Sequence, residues 1–171
     1  MRKLLALLGS AVFLFIAPGI VAGVMPWWIS EWKIHSPLFG FRAVRVFGLL
    51  LIVPGVCVLV ESFTRFALQG LGTPAIVLPP RRLVVKGFYR YVRNPMYLAV
   101  VSIVLGEGMV LGDVSVLAYG AIVWLLSHLF VLAYEEPTLR KTFGPQYDAF
   151  CANVPRWIPR LTQWNDGTGK S

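Results

Sequence analysis

The chain has 171 residues, of which 57% are hydrophobic and 14% are charged, and its mean hydropathy is +0.68. A soluble domain usually has about 25% charged residues, so this composition excludes an ordinary water-soluble protein and predicts one membrane domain over residues 1–171. The formal net charge of +8 does not indicate nucleic-acid binding, because the basic residues lie beside apolar segments, where membrane topology accounts for them.

Four apolar segments are predicted to cross the membrane, at residues 4–24, 43–67, 95–111 and 114–134. A helix needs roughly 20 apolar residues to span the hydrocarbon core. The first segment also resembles a signal peptide, but its length and the spans that follow favour a retained helix. The sequence therefore predicts an all-α, polytopic bundle of about four transmembrane helices.

The last two spans are predicted to form a helical hairpin, because only Gly112-Asp113 separates them. In the second span, Pro54-Gly55 predicts a kink, and Glu61 and Arg65 are four residues apart and are expected to pair on one helix face. The tail, residues 135–171, is predicted to contain a short helix along the membrane interface, starting at Gly144-Pro145.

Basic residues set the predicted orientation. The loop 68–94 contains no acid, and the positive-inside rule places this loop and both termini in the cytoplasm. We expect a multi-pass protein of the bacterial inner membrane, with tryptophans anchoring the outer side. The basic residues of the loop are Arg81, Arg82, Lys86, Arg90 and Arg93, and the anchoring tryptophans are Trp27, Trp28 and Trp32.

An anion site is predicted where the third span begins. Asn94 suits the N-cap of a helix and Pro95 suits its first position. The positive end of that helix, with Arg90 and Arg93 just before it, favours a bound anion. The alternative is that the two arginines serve only as topological charges.

A pair of acids is predicted at the same membrane depth. The fourth span ends at Glu135-Glu136, and acids at a helix C-terminus need a compensating cation. Nearby arginines, Arg140 among them, or a cationic ligand would provide it. A ligand with one anionic and one cationic group would fit both the anion site and the acid pair. The carboxylate and ammonium of S-adenosylmethionine are such groups.

Two further residues are candidates for catalysis. Glu107 lies inside a predicted span, where a carboxylate is costly and marks a functional candidate; otherwise it has a partner in the bundle or lies near the outer interface. His128 is seven residues before Glu135 and shares its helix face, although a hydrogen-bonded structural histidine is the commoner case. Tyr97 and Gly108 also share a face, and the spacing of Gly108 and Gly112 is typical of helix packing.

These residues resemble a known family of membrane methyltransferases, which includes the isoprenylcysteine carboxyl methyltransferases and the phospholipid N-methyltransferases. The resemblance rests on two blocks and a tail: Gly87-Phe88-Tyr89-Arg90-Tyr91-Val92-Arg93-Asn94-Pro95-Met96-Tyr97, then Glu135-Glu136-Pro137-Thr138-Leu139, then Val154-Pro155-Arg156-Trp157. It implies that Arg93, Pro95, Tyr97 and both acids shape an S-adenosylmethionine site. Asn94 replaces the histidine common in the carboxyl methyltransferases, which leaves a lipid amine open as the acceptor.

The predicted function is therefore an S-adenosylmethionine-dependent methyltransferase that acts on a lipid-like acceptor in the bilayer. Two alternatives remain open: an NADPH-dependent membrane reductase of the sterol type, which shares the arginine and proline pattern, and a non-enzymatic membrane subunit. No metal site is expected, because Cys57 and Cys151 match no ligand spacing.

Overall fold

The computed structural model describes residues 16–69, 83 and 85–165. These residues form helices joined by turns and contain no strand, as the sequence predicts. The predicted extended course of the proline-marked loop lies almost wholly outside the described residues, as does the start of the first apolar segment.

The first helix, α1, runs from Ile16 to Ser30, beyond the predicted end of the segment at residue 24. It contains a π turn, Ile20–Val24, directly before Pro26. Proline has no N–H group to donate and its ring crowds the preceding turn. A wider turn relieves that conflict, so the helix continues past Pro26 instead of stopping there.

The second helix, α2, runs from Ala43 to Gln69 and remains continuous through Pro54. After a short 3₁₀ turn, Gly87–Arg90, the third helix, α3, runs from Pro95 to Leu111, with the predicted bounds. Helices α2 and α3 pack antiparallel around a core of Leu59, Phe63, Ala99 and Ile103. The expected pairing of Glu61 with Arg65 on α2 is present.

Glycines allow the close approach of α2 and α3. A Cβ atom built on Gly48 would lie 2.7 Å from the carbonyl oxygen of Gly106, and one on Gly106 would lie 2.6 Å from that of Gly48. Gly55 packs in the same way against the backbone carbonyl of Ala99. The two backbones thus meet where no side chain intervenes, as small residues allow in membrane helices.

The predicted hairpin turn between α3 and the fourth helix is confirmed. Gly112 ends α3 in the left-handed conformation, with φ +71°. Asp113 caps the next helix by accepting hydrogen bonds from the backbone amides of Ser115 and Val116, at 2.7 and 3.3 Å. Leu117 packs against Gly108, so that glycine serves helix packing.

The fourth helix, α4, continues beyond residue 134, where the last predicted span ends. It runs from Val114 to Phe143, with a π turn at Val131–Glu135 just before Pro137. The expectation that Glu135 and Glu136 lie at a helix C-terminus is therefore wrong. The wider turn again accommodates a proline two residues later, and the ion pairs described below stabilise Glu136 within the helix.

The tail helix, α5, runs from Pro145 to Asn153, as predicted. Its buried residues Tyr147 and Phe150 pack with Val154 and with Trp164 farther along the tail. Of all described helices, α2 and α4 are long and apolar enough to cross a membrane, and only 17% of the residues in the most apolar stretch of each are buried. Helices α1 and α3 are apolar but shorter, so four spans remain a prediction.

We expect Gly106→Ala to destabilise the protein, because its new methyl group would collide with the backbone of α2. Overpacking of this kind costs about 1–3 kcal/mol, which a lower unfolding midpoint in detergent would report. Gly23→Ala is the matched control, since a Cβ atom at Gly23 meets nothing within 4 Å. Equal midpoints for the two variants would contradict the described contact between α2 and α3.

Candidate functional site

Glu136 is the centre of the site, and two arginines surround it. Its side chain is 11% exposed. Arg156 donates to both carboxylate oxygens, from Nε at 2.6 Å and from the second terminal nitrogen at 3.0 Å. Arg93 adds a contact of 3.3 Å to Oε1. A buried carboxylate needs such partners, and removing one partner of a buried pair costs about 3–5 kcal/mol.

Arg93 holds together three parts of the site. Besides Glu136, it donates from a terminal nitrogen to the Sγ atom of Cys151 at 2.7 Å. Its backbone amide donates to the carbonyl of Pro155 at 2.9 Å. Its Nε atom is buried and has no partner. A buried donor without an acceptor is costly, so this atom is an unsatisfied polar group within the site.

Asn94 does not act as the predicted side-chain cap. It precedes α3, but its side chain makes no capping bond. Its amide donates instead to the backbone carbonyl of Arg156 at 3.2 Å, and the residue is 6% exposed. The side chain of Asn94 therefore bonds to the tail instead of capping α3. Pro95 occupies the first turn of α3, as predicted.

Glu135 has different surroundings from its neighbour. The hydroxyl of Tyr97 donates to its Oε2 atom at 2.8 Å, so the predicted halves of the site do meet. Among the described residues, no lysine, arginine or histidine forms an ion pair with this carboxylate. Burial, and then the Glu135 and Glu61 carboxylates, raises the pKa of Tyr89, which therefore stays protonated beside Glu135.

A segment of the tail, residues 154–164, lies across the start of α3; we call it the strap. Its backbone amides at Arg160 and Trp164 donate to the carbonyls of Tyr91 and Arg90, each at 3.0 Å. The Nε atom of Arg90 returns a bond to the carbonyl of Trp164 at 2.7 Å. Arg90 therefore fixes the strap instead of facing Glu135 or Glu136.

His128 is bound by the strap as well. The indole Nε1 of Trp157 donates to its Nδ1 atom at 2.9 Å, and the ring of Trp124 stacks on it with centroids 5.4 Å apart. Because Nδ1 accepts, a neutral imidazole has its proton on Nε2. The structure thus shows the hydrogen-bonded histidine that the sequence left as an alternative.

Glu107 lies away from the other candidates. It is ten residues beyond Tyr97 on α3, which corresponds to about 15 Å along the helix. Its Oε2 atom is buried without a hydrogen-bond partner. The structure therefore brings Arg93, Tyr97, Glu135 and Glu136 together, with Asn94 and Pro95 at the edge, and leaves Glu107 apart.

Sequence reasoning missed the part that the strap plays in the site. Arg156, Trp157 and Cys151 were not predicted as site residues, although all three make the contacts described above. A tail arginine is indistinguishable from any other surface charge until its partner is known. The signal that existed was the Val154-Pro155-Arg156-Trp157 block in the resemblance.

These features define an all-helical protein with a polar site that contains charges of both signs. The site lies where the ends of an apolar helical hairpin meet the tail. A family model described as phospholipid methyltransferase matches residues 43–146, more than half of the chain. The chain belongs to this family. The matched range includes α2, the hairpin and both acids and ends before the strap.

Two curated relatives are similar to the chain. A protein-S-isoprenylcysteine O-methyltransferase from Schizosaccharomyces pombe is 36% identical over 80 residues, which is 46% of this chain and 34% of that protein. Protein-S-isoprenylcysteine O-methyltransferase B from Arabidopsis thaliana is 27% identical over 141 residues, which is 78% of this chain and 60% of that protein. The chain thus spans less than two thirds of either relative.

We expect Trp157→Phe to loosen the strap, because phenylalanine keeps an aromatic ring but has no N–H to donate to His128. Loss of a hydrogen bond costs about 1 kcal/mol, and faster tryptic cleavage after Arg156 and Arg160 would report it. Trp124→Phe is the control, since Trp124 only stacks on the imidazole. Identical cleavage rates for both variants would show that the indole hydrogen bond does not retain the strap.

Proposed function

We propose that the protein is an integral membrane methyltransferase that uses S-adenosylmethionine and acts on a lipid-like acceptor. The observation that supports this most directly is a hydrogen-bond donor without an acceptor in the same site as an acid without a cation. Arg93 has a buried Nε donor with no acceptor, and Glu135 has a tyrosine but no cation among the described residues. A ligand with a carboxylate and an ammonium would satisfy both.

The residues present fit the amino-acid end of this methyl donor. Arg93 would hold the carboxylate, and Glu135 with Tyr97 would hold the ammonium. When bound, the donor supplies a sulfonium methyl group that an acceptor atom attacks in line. The contribution of the protein is then position and exclusion of water, since a displacement of this kind needs no covalent intermediate on the enzyme.

The acceptor is proposed to enter from the bilayer. The family and both relatives point to lipid-linked acceptors, either a prenylcysteine carboxylate or a phospholipid amine. Large apolar side chains of α4 near the site face outward, including Leu129, at 51% exposure, and Leu132, at 40%. They would lie against lipid tails, so an acceptor with an apolar chain reaches the site without crossing water.

The same proposal includes the topology. The site lies at the end of the hairpin opposite the Gly112-Asp113 turn, on the same side as Arg90, Arg93 and Arg156. We place that side in the cytoplasm by the positive-inside rule, in a single membrane domain with four spans. Because Nδ1 of His128 is occupied and Glu107 is about 15 Å from Tyr97, the proposal places neither beside the transferred methyl group.

Methyl transfer can be tested directly with detergent-purified protein, methyl-labelled S-adenosylmethionine and total membrane lipid. We expect label in a lipid product. Glu135→Gln removes the charge that would meet the ammonium. A hydrogen bond to a charged group contributes about 1.5–3 kcal/mol, so donor binding should weaken by roughly 10-fold to 100-fold.

The control is Glu31→Gln, because Glu31 pairs with Lys33 in an exposed contact far from the site. Its variant should bind the donor as the unaltered protein does. Tight binding of NADPH without binding of S-adenosylmethionine would refute the proposal and favour the reductase alternative. If Glu135→Gln leaves donor binding unchanged, Glu135 does not contact the donor.

A further inference from the structure

The two adjacent acids of α4 have different numbers of partners. Glu136 receives three nitrogen atoms from two arginines, and both of its oxygens are engaged. Glu135 receives one tyrosine hydroxyl. A carboxylate that already has a two-point bond from Arg156 has little capacity left for a ligand ammonium. Adjacent residues of a helix point about 100° apart, so the two side chains meet different partners.

Arg156 also connects the strap to the start of α3. Its carbonyl accepts from Asn94, and the preceding carbonyl, of Pro155, accepts from the amide of Arg93. The hydrogen bond to Glu136 raises the pKa of Arg156, so its guanidinium group remains charged. Arg93 therefore has its main chain held by the strap and one terminal nitrogen of its side chain held by Glu136 and Cys151, while its Nε atom is buried without a partner.

We propose that Arg156 is a positioning residue that acts through Glu136 to aim the guanidinium of Arg93 at the ligand carboxylate. Glu136 belongs to the same support and does not contact the ligand, and Glu135 alone receives the ammonium. This inference rests on the proposed function, because it assumes a ligand with an amino-acid end. It concerns a residue beyond the part of the chain that the family model matches.

The test compares two nucleoside ligands on the full-length protein. S-adenosylhomocysteine has the amino-acid end, and 5′-methylthioadenosine lacks it. In catalysis, misplacing a contact by about 1 Å can lower a rate by up to about 100-fold. We expect an effect of similar size on affinity, so Arg156→Gln should weaken the binding of S-adenosylhomocysteine by about 10-fold to 100-fold. It should leave the dissociation constant of the second unchanged. If Arg156 had a purely structural role, Arg156→Gln would weaken the binding of both ligands.

Four further variants complete the test. Arg156→Lys keeps the charge without the two-point fork and should restore part of the lost affinity; it also provides the comparison should Arg156→Gln fail to fold. Glu136→Gln should reproduce the Arg156→Gln pattern, and the double variant should be no weaker than either, because the two residues act as a unit. Lys33→Gln removes an exposed pair with Glu31 and should change nothing.

The outcomes separate this inference from the proposed function. A wild-type protein that binds neither S-adenosylmethionine nor S-adenosylhomocysteine refutes the function. The positioning role alone is refuted if the wild type transfers methyl groups and both Arg156→Gln and Arg156→Lys bind the two nucleosides normally. It is also refuted if these variants lose affinity for both nucleosides equally. Selective loss of S-adenosylhomocysteine, with partial recovery in Arg156→Lys, supports it.

Discussion

A buried carboxylate surrounded by arginines organises this protein. Glu136 is 8% exposed, and an ion removed from water at such a position must be compensated or it destabilises the fold. Arg156 and Arg93 supply that compensation from two distant parts of the chain. The tail, the start of α3 and the part of α4 around Glu136 are therefore fixed relative to one another by one charge cluster.

The surrounding contacts follow from that cluster. With Arg156 held at Glu136, the strap lies across residues 90–94 and exchanges backbone hydrogen bonds with them. Trp157 then reaches His128, and the apolar residues of α5 pack beneath. Both the tail and the hairpin present side chains to one polar site at the end of an otherwise apolar bundle.

The geometry also explains how two neighbouring acids acquire different surroundings. In a regular α-helix adjacent residues point about 100° apart, and the π turn at Val131–Glu135 alters that register locally. π turns are frequent at functional sites. Glu136 turns to Arg93 and Arg156, while Glu135 turns to Tyr97 on α3. Membership of the phospholipid methyltransferase family accords with a polar ligand site in such a place.

The sequence alone determined the all-helical class, the bounds of α3, the hairpin turn at Gly112-Asp113 and the tail helix, because apolar length, glycine and proline act locally. It also determined that the Arg90–Tyr97 block and the two acids would meet, since a hairpin brings its ends together. Tertiary structure decided the rest. Glu135-Glu136-Pro137 reads as a helix end, yet the ion pairs of Glu136 keep α4 helical to Phe143. Asn94 reads as a cap, yet the carbonyl of Arg156 takes its side chain. Such contacts join residues about 20 to 60 positions apart, and no local pattern encodes them.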